Sequence, residues 1–255
     1  MAAIPKRVAS RLSDEVNKFR AILRTAIERE INEADTVKIV TDILANVFGY
    51  DPYFDITSEY AIRSTYVDLA VKVDGDVKFL IEVKSITTDL KENHLRQAVN
   101  YGATKGHQWV ILTNGVVWQA YSITLKKAVD AEKVFEFNFL DLNLNRNEDK
   151  EMLFLLAKEA ISKNAIQEYQ ERIKCVNPNV IAAILLEKPC LDLIRRELRH
   201  ITPGLKIDID EIEGLLRNEV LRRSLIEGDE SSEATRKVRR AAKKSARAKA
   251  SSNGK

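Results

Sequence analysis

Asp68 lies in the run Tyr66 to Val73, and Glu82 and Lys84 lie in the run Val77 to Lys84. Both runs alternate apolar and polar residues as strands do, and the Asp74-Gly75-Asp76 segment between them signals a hairpin. With that segment as the loop, Val73 faces Val77, and the continued register sets Asp68 across from Glu82. A two-residue loop would shift the pairing by one. Lys84, two positions past Glu82, shares its face because strand side chains alternate. Two neighbouring carboxylates in an apolar sheet repel one another, and a divalent cation between them resolves the conflict. Magnesium suits such a site, because it takes a few carboxylate oxygens and keeps water and phosphate in its other positions. An ammonium beside it is placed to hold an attacking water and to offset charge developing on a phosphate. The plainer alternative pairs Asp68 with Lys84 as an ordinary cross-strand ion pair, with Glu82 on a solvated edge.

The elements that must position this trio are legible on both sides of it. Val8, Leu12, Val16, Phe19, Leu23 and Ile27 recur every three or four residues, so a long amphipathic helix precedes the sheet. A second helix is expected from Glu33 to Phe48, capped by Gly49. Glu33 is a further acidic candidate for the site, or else a favourable first-turn carboxylate. Three strands follow: Ile56 to Ile62, Tyr66 to Val73 and Val77 to Lys84. A helix near Glu92 to Lys105 comes next, where Gln97 and Tyr101 share a face and could both reach the strand ends. Gln108 to Thr113 and Val116 to Ser122 form a second hairpin at Asn114-Gly115. The alternating run Val134 to Phe139 reads as an edge strand or as the exit from this domain. The fold class is therefore α/β (α+β), with a mixed central sheet flanked by helices.

Beyond Asn143 to Asn147 the composition turns helical as far as Asn177-Pro178. Shorter helices are expected at Val180 to Glu187, Pro189 to Arg199 and Ile209 to Leu225. The expected organisation is a core over residues 1–145, a helical appendage over 146–230 and a basic, disordered tail over 231–255. That tail carries nine Lys/Arg and one Asp/Glu, whereas residues 1–230 hold 32 basic and 37 acidic residues. The body is thus mildly acidic, and the tail is either an arm for phosphate contacts or a solubilising segment. The two cysteines, Cys175 and Cys190, have neither metal-ligand nor redox spacing. With no apolar run of spanning length and no signal-peptide core at Met1 to Arg11, no membrane association is expected, and a cytoplasmic location is. His94, His107 and His200 are isolated and read as surface or packed imidazoles; Trp109, Trp118 and Tyr121 read as core.

Asp68 followed by Glu82-Val83-Lys84 resembles the D…(D/E)xK signature of the PD-(D/E)XK nuclease superfamily. The ordered set Asn32 to Thr36, Phe48-Gly49-Tyr50-Asp51, Asp68, Glu82-Val83-Lys84, Gln97-Ala98-Val99-Asn100-Tyr101 and Thr113 to Trp118 is similar to the N-terminal nuclease domain of type I restriction enzyme R subunits. The resemblance covers about residues 30 to 125. It implies a restriction-endonuclease-like fold and magnesium-dependent cleavage of DNA. It also implies Asp68 and Glu82 as metal ligands, Lys84 beside the water, Glu33 as the helical acidic residue, and Gln97 and Tyr101 near the site. Val67 stands where the superfamily name has proline. No GxxxxGK[ST] loop is present in these residues, so the ATP-driven motor that follows this domain in the R subunits is not expected here.

Three readings compete: a DNA endonuclease acting alone, as a homo-oligomer or with a restriction-complex partner; a non-catalytic nucleic-acid-binding or assembly module of the same fold; and a structural protein whose helical appendage mediates oligomerisation. An intact Asp68, Glu82 and Lys84 set favours the first.

Overall fold

The computed structural model describes residues 3–62, 65–125 and 129–252, with the side chains at 62, 65, 92, 97, 101, 125 and 246–252 outside that description. The chain folds into two compact units, residues 1–170 and 171–255.

The first unit opens with α1 (Lys6–Glu28), whose buried stripe is Val8, Leu12, Val16, Phe19, Leu23 and Ala26. The second helix, α2 (Glu33–Asn46), starts at Asn32, whose side chain accepts the Asp35 N–H and so satisfies one of the free amides of the first turn. Gly49, at φ +81°, ends this helix in the left-handed region that glycine tolerates. Six strands follow: β1 (Ile56–Ile62), β2 (Thr65–Val73), β3 (Asp76–Val83), β4 (Trp109–Thr113), β5 (Val117–Leu125) and β6 (Val129–Asn138). They form one sheet in chain order, antiparallel throughout except for the parallel β3–β4 pair. A parallel pair needs a crossover, and α3 (Glu92–Lys105) supplies it. The sheet is mixed and helix-flanked, as the residue pattern predicts, and β1 and β6 are its edges.

The β2–β3 hairpin differs from the predicted one in a way that matters. Its loop is the two-residue turn Asp74-Gly75, and Val73 pairs with Asp76 rather than Val77. Both turn residues have positive φ, 55° and 84°, which is the backbone that a two-residue turn between twisted strands requires. This shorter loop slips the register by one. A bulge then restores it: Lys72 pairs with Val77 but Val71 with Phe79, so Lys78 is the extra residue. Beyond it Ala70 faces Leu80 and Leu69 faces Ile81, the last pair of the ladder, and that register carried one step on would set Asp68 opposite Glu82. Without the bulge, Glu82 would oppose Val67 and the two carboxylates would lie on opposite faces.

One face of the sheet, carrying Ala70, Leu80, Val110 and Leu112, packs on Leu95, Ala98 and Val99 of α3. Glu82 has the parity of Leu80 on β3, and the Asp68 carboxylate is set beside it by a bond from the Val83 N–H. The helical stretch after the sheet begins with α4 (Asn147–Leu156), α5 (Lys158–Ile161) and most of α6 (Ala165–Cys175), all within the first unit. Long-range bonds hold it there. The Tyr50 hydroxyl donates to the Leu156 carbonyl at 2.8 Å and the Lys158 amide to the Phe48 carbonyl at 2.9 Å. Arg11 binds Glu159 in a two-toothed pair at 2.7 Å while donating to the carbonyls of Val47 and Phe48 at the end of α2. The compact division thus falls at residue 170, where composition suggests 145.

The second unit is helical: α7 (Pro178–Leu185), α8 (Lys188–Ile201), α9 (Ile209–Leu215), a π-helical turn Leu216–Val220, α10 (Arg223–Ile226) and α11 (Asp229–Ser252). The tail expected to be disordered is helical through Ser252. Its Ala, Lys and Arg content favours helix, with acidic Asp229 and Glu230 at the start and cations at the end, both suited to the helix dipole. Ala234 and Val238 of α11 pack against Val180 and Ala183 of α7. No helix among the described residues is long and apolar enough to cross a membrane.

Candidate active site

The site lies at the ends of β2 and β3. Glu82 closes an apolar run, Phe79-Leu80-Ile81, and is 5% exposed. Past the Leu69–Ile81 pair the ladder opens, and the Val83 N–H donates to Asp68 Oδ2 at 2.7 Å. That bond is a backbone anchor fixing which way the Asp68 carboxylate points. Lys84 follows the end of β3, its amide bound to the Thr113 carbonyl at 2.8 Å. Its Nζ lies 2.8 Å from Glu82 Oε1 and 3.6 Å from Glu33 Oε1. The Lys84 side chain is 19% exposed, against 50% for Glu33 at the first turn of α2. The sheet and α2 therefore bring Asp68, Glu82, Lys84 and Glu33 together, and the ammonium bridges Glu82 and Glu33.

Electrostatics follows from that packing. Burial pushes the Asp68 carboxyl above its ordinary range; the Val83 N–H and the Lys84 charge pull it back, and Glu33 adds to the rise. Burial likewise raises Glu82 against the Lys84 hydrogen bond, with Asp68 and Glu33 adding to the rise. For Lys84 burial disfavours the charged form, yet the Glu82 bond and the charges of Glu82, Glu33 and Asp68 outweigh it and hold the ammonium above its usual value. With all four ionised, three carboxylates against one ammonium leave two formal negative charges. The cluster is short of positive charge.

Among the described residues no group of three or more His, Cys, Asp or Glu stands close enough to hold a metal ion. Glu33 sits against Lys84 instead of joining Asp68 and Glu82 as a third ligand oxygen. The fit for magnesium thus rests on a pair, Asp68 and Glu82, which is within what that ion accepts when water fills its remaining positions. Gln97 and Tyr101 are on α3, and their side chains lie outside the described residues.

Sequence reasoning missed the supports of this cluster. After Lys84 the chain turns through Ser85 to Thr88, closed by a 2.7 Å hydroxyl pair and by the Thr88 N–H on the Ser85 carbonyl at 2.9 Å. Asn114, 7% exposed, donates from Nδ2 to the Thr88 carbonyl at 3.0 Å, and its Oδ1 accepts the N–H groups of Val116 and Val117. It thereby ties the β4–β5 turn to the segment that carries Lys84. The Asn114-Gly115 pair signalled a turn, but nothing in its spelling signalled this latch. Gly115, at φ +84°, lets the turn close beneath Leu23, Ile86 and Thr36. Trp118 is core: its indole N–H bonds the Gly115 carbonyl at 2.9 Å, and its ring meets Phe48 edge-on at 5.5 Å. Glu59 was also missed. It falls across from Asp68 on β1, where the ladder skips from Ser58–Leu69 to Tyr60–Val67, and it has a left-handed φ of 48°.

The histidines have other settings: His94 Nδ1 accepts the Lys91 amide in the cap of α3, and His200 lies 3.2 Å from Glu197. Burial lowers the His107 imidazole, and Lys105 lowers it further. No curated protein and no solved structure matches the chain. Residues 36–137, from the first turns of α2 to the end of β6, match the family described as type I restriction enzyme R protein N terminus, so the resemblance carried by the ordered motifs holds over this segment, with Glu33 just before its start.

Proposed function

We propose that the first unit is a metal-dependent DNA endonuclease of the restriction-enzyme kind, hydrolysing phosphodiester bonds. The observation that carries this reading is the convergence of Asp68 and Glu82 beside Lys84, with a charge deficit of the size a dication supplies. The match to the type I restriction enzyme R protein N terminus supports it.

Asp68 and Glu82 would hold magnesium, which when bound lowers the pKa of a coordinated water and screens phosphate charge. The chain's own residues do the rest. The Val83 N–H fixes Asp68, and burial keeps both carboxylates poised for a cation by making their bare ionisation costly. Lys84 remains an ammonium at neutral pH, so it donates to water and to a phosphate oxygen and does not serve as a base. As the water oxygen bonds to phosphorus and gives up a proton to solvent, the P–O bond to the leaving sugar oxygen breaks and that oxygen takes a proton from solvent water. Lys84 offsets the charge that accumulates on the phosphate.

The test is incubation of plasmid and linear DNA with magnesium, comparing wild type with Asp68→Ala and Lys84→Ala. Loss of nicking in both variants is expected. Cleavage surviving Asp68→Ala would refute the assigned site, and tight DNA binding without cleavage by wild type would favour a binding or assembly module.

A further inference from the structure

From Arg236 to Ser252, α11 holds eight Lys or Arg residues and no Asp or Glu. Its packed face is short. Ser231 and Ala234 are buried and Val238 is half-buried, whereas every residue from Arg239 to Lys243 and on to Ser245 is exposed. The helix therefore runs past its support on α7, and from Arg239 to Ser245 it is exposed around its circumference. A helix polar on every face gains little from its own chain, and mutual repulsion among its cations opposes it. Near the support the charges are partnered: Lys237 Nζ donates to the Lys174 carbonyl at 2.6 Å, and Arg239 lies 3.4 Å from Glu187. Among the described residues Arg240, Lys243 and Lys244 meet no carboxylate. Spaced at i, i+3 and i+4, they crowd one side of the helix.

We infer that this free end of α11 is a binding surface for the phosphate backbone of nucleic acid, an anchor in the second unit for the DNA on which the first unit acts. The inference rests on the reading of the first unit as a DNA enzyme. The chemistry favours phosphate over the other polyanionic surface, a lipid headgroup layer. An interfacial helix needs an apolar face with large side chains, and α11 has none beyond Val238, which is already used. A helix about 10–12 Å across enters a major groove about 12 Å wide, so cations on it can meet phosphates on either rim. The stretch has no Asn or Gln to read adenine edges, and cations meet phosphates at any sequence, so the contact inferred is with the backbone.

The experiment measures duplex binding by fluorescence anisotropy with the full chain in EDTA, which silences cleavage and leaves α11 intact. The triple variant Arg240→Gln/Lys243→Gln/Lys244→Gln should bind at least about 10-fold more weakly at low salt, with a log–log salt slope shallower by about 2.7. The charge-keeping variant Arg240→Lys/Lys243→Arg/Lys244→Arg should bind like the parent. An unchanged slope in the first variant, or equal loss in the second, overturns the assignment. So does tighter binding to phosphatidylserine vesicles than to duplex at the same salt. Because binding is read without cleavage, failure here leaves the active site standing, and cleavage by Asp68→Ala leaves this anchor standing.

Discussion

The Lys84 ammonium rests 2.8 Å from Glu82 Oε1, Glu82 lying in the last pleat of β3 and Lys84 just past its end. Replacing Lys84 by Met keeps the stem but leaves a nearly buried carboxylate without its cation. Cleavage should fall by about 10²–10³-fold. The Glu82 carboxyl, already raised by burial, should titrate higher still. Carbon-detected NMR of the Glu side chains checks the second point; a titration that stays put would mean that the contact is not formed in solution.

Metal-free stability should carry the signature of the two raised carboxyls. A carboxyl whose folded pKa exceeds its unfolded value contributes stability that is full below the ordinary carboxylate range and is lost as pH rises through the raised value. Asp68 and Glu82 therefore weaken the metal-free fold at neutral pH. Asp68→Asn keeps an oxygen to accept the Val83 N–H and removes the charge. Without magnesium it should melt above wild type at pH 7, with the gap closing toward pH 4. Magnesium at about 100 times its Kd should then stabilise wild type by about 2.7 kcal/mol and leave the variant unmoved. A wild type insensitive to magnesium would count against the Asp68–Glu82 pair as its site.

Asn114 should matter for the placement of Lys84 although it is no part of the chemistry. Asn114→Ala unpairs the Thr88 carbonyl, the buried Val116 amide and the half-buried Val117 amide, at a cost of about 1–3 kcal/mol in denaturant unfolding. Cleavage below the melting range should drop through kcat more than through KM. A change in KM alone would place Asn114 at the substrate instead.

Gly49 should tolerate no side chain. A Cβ there would sit 2.7 Å from the Arg11 guanidinium carbon, on backbone at φ +81°. Arg11 cannot yield, because Glu159 and the Val47 and Phe48 carbonyls hold it. Gly49→Ala should lose about 1–3 kcal/mol of stability, read by thermal unfolding, and retain cleavage at low temperature.

Strands and helices were legible because apolar spacing reports burial directly, and Asp68, Glu82 and Lys84 were legible because charges in an apolar strand demand a reason. The bulge at Lys78 was not. Period-two alternation does not mark an extra residue, and a three-residue loop without a bulge gives the same Asp68–Glu82 opposition as a two-residue turn with one. The boundary at residue 170 was hidden for another reason: composition after Asn147 says helix, and only partners distant in the chain, such as Arg11 for Glu159 and Tyr50 for Leu156, say where those helices belong. The left-handed backbone at Glu59 and the Asn114 latch are tertiary facts with no local spelling. In α11, a like-charge block suggested disorder, while helix propensity and the packing of Ala234 and Val238 win.

The most direct measurement is the rate of supercoiled-plasmid relaxation against magnesium concentration at fixed pH, for wild type and for Glu82→Gln. Wild type should show a saturable dependence on magnesium and none of the activity in EDTA, with the variant at least about 10²-fold slower at every concentration. Equal rates for the two proteins, or relaxation that persists in EDTA, would contradict the account.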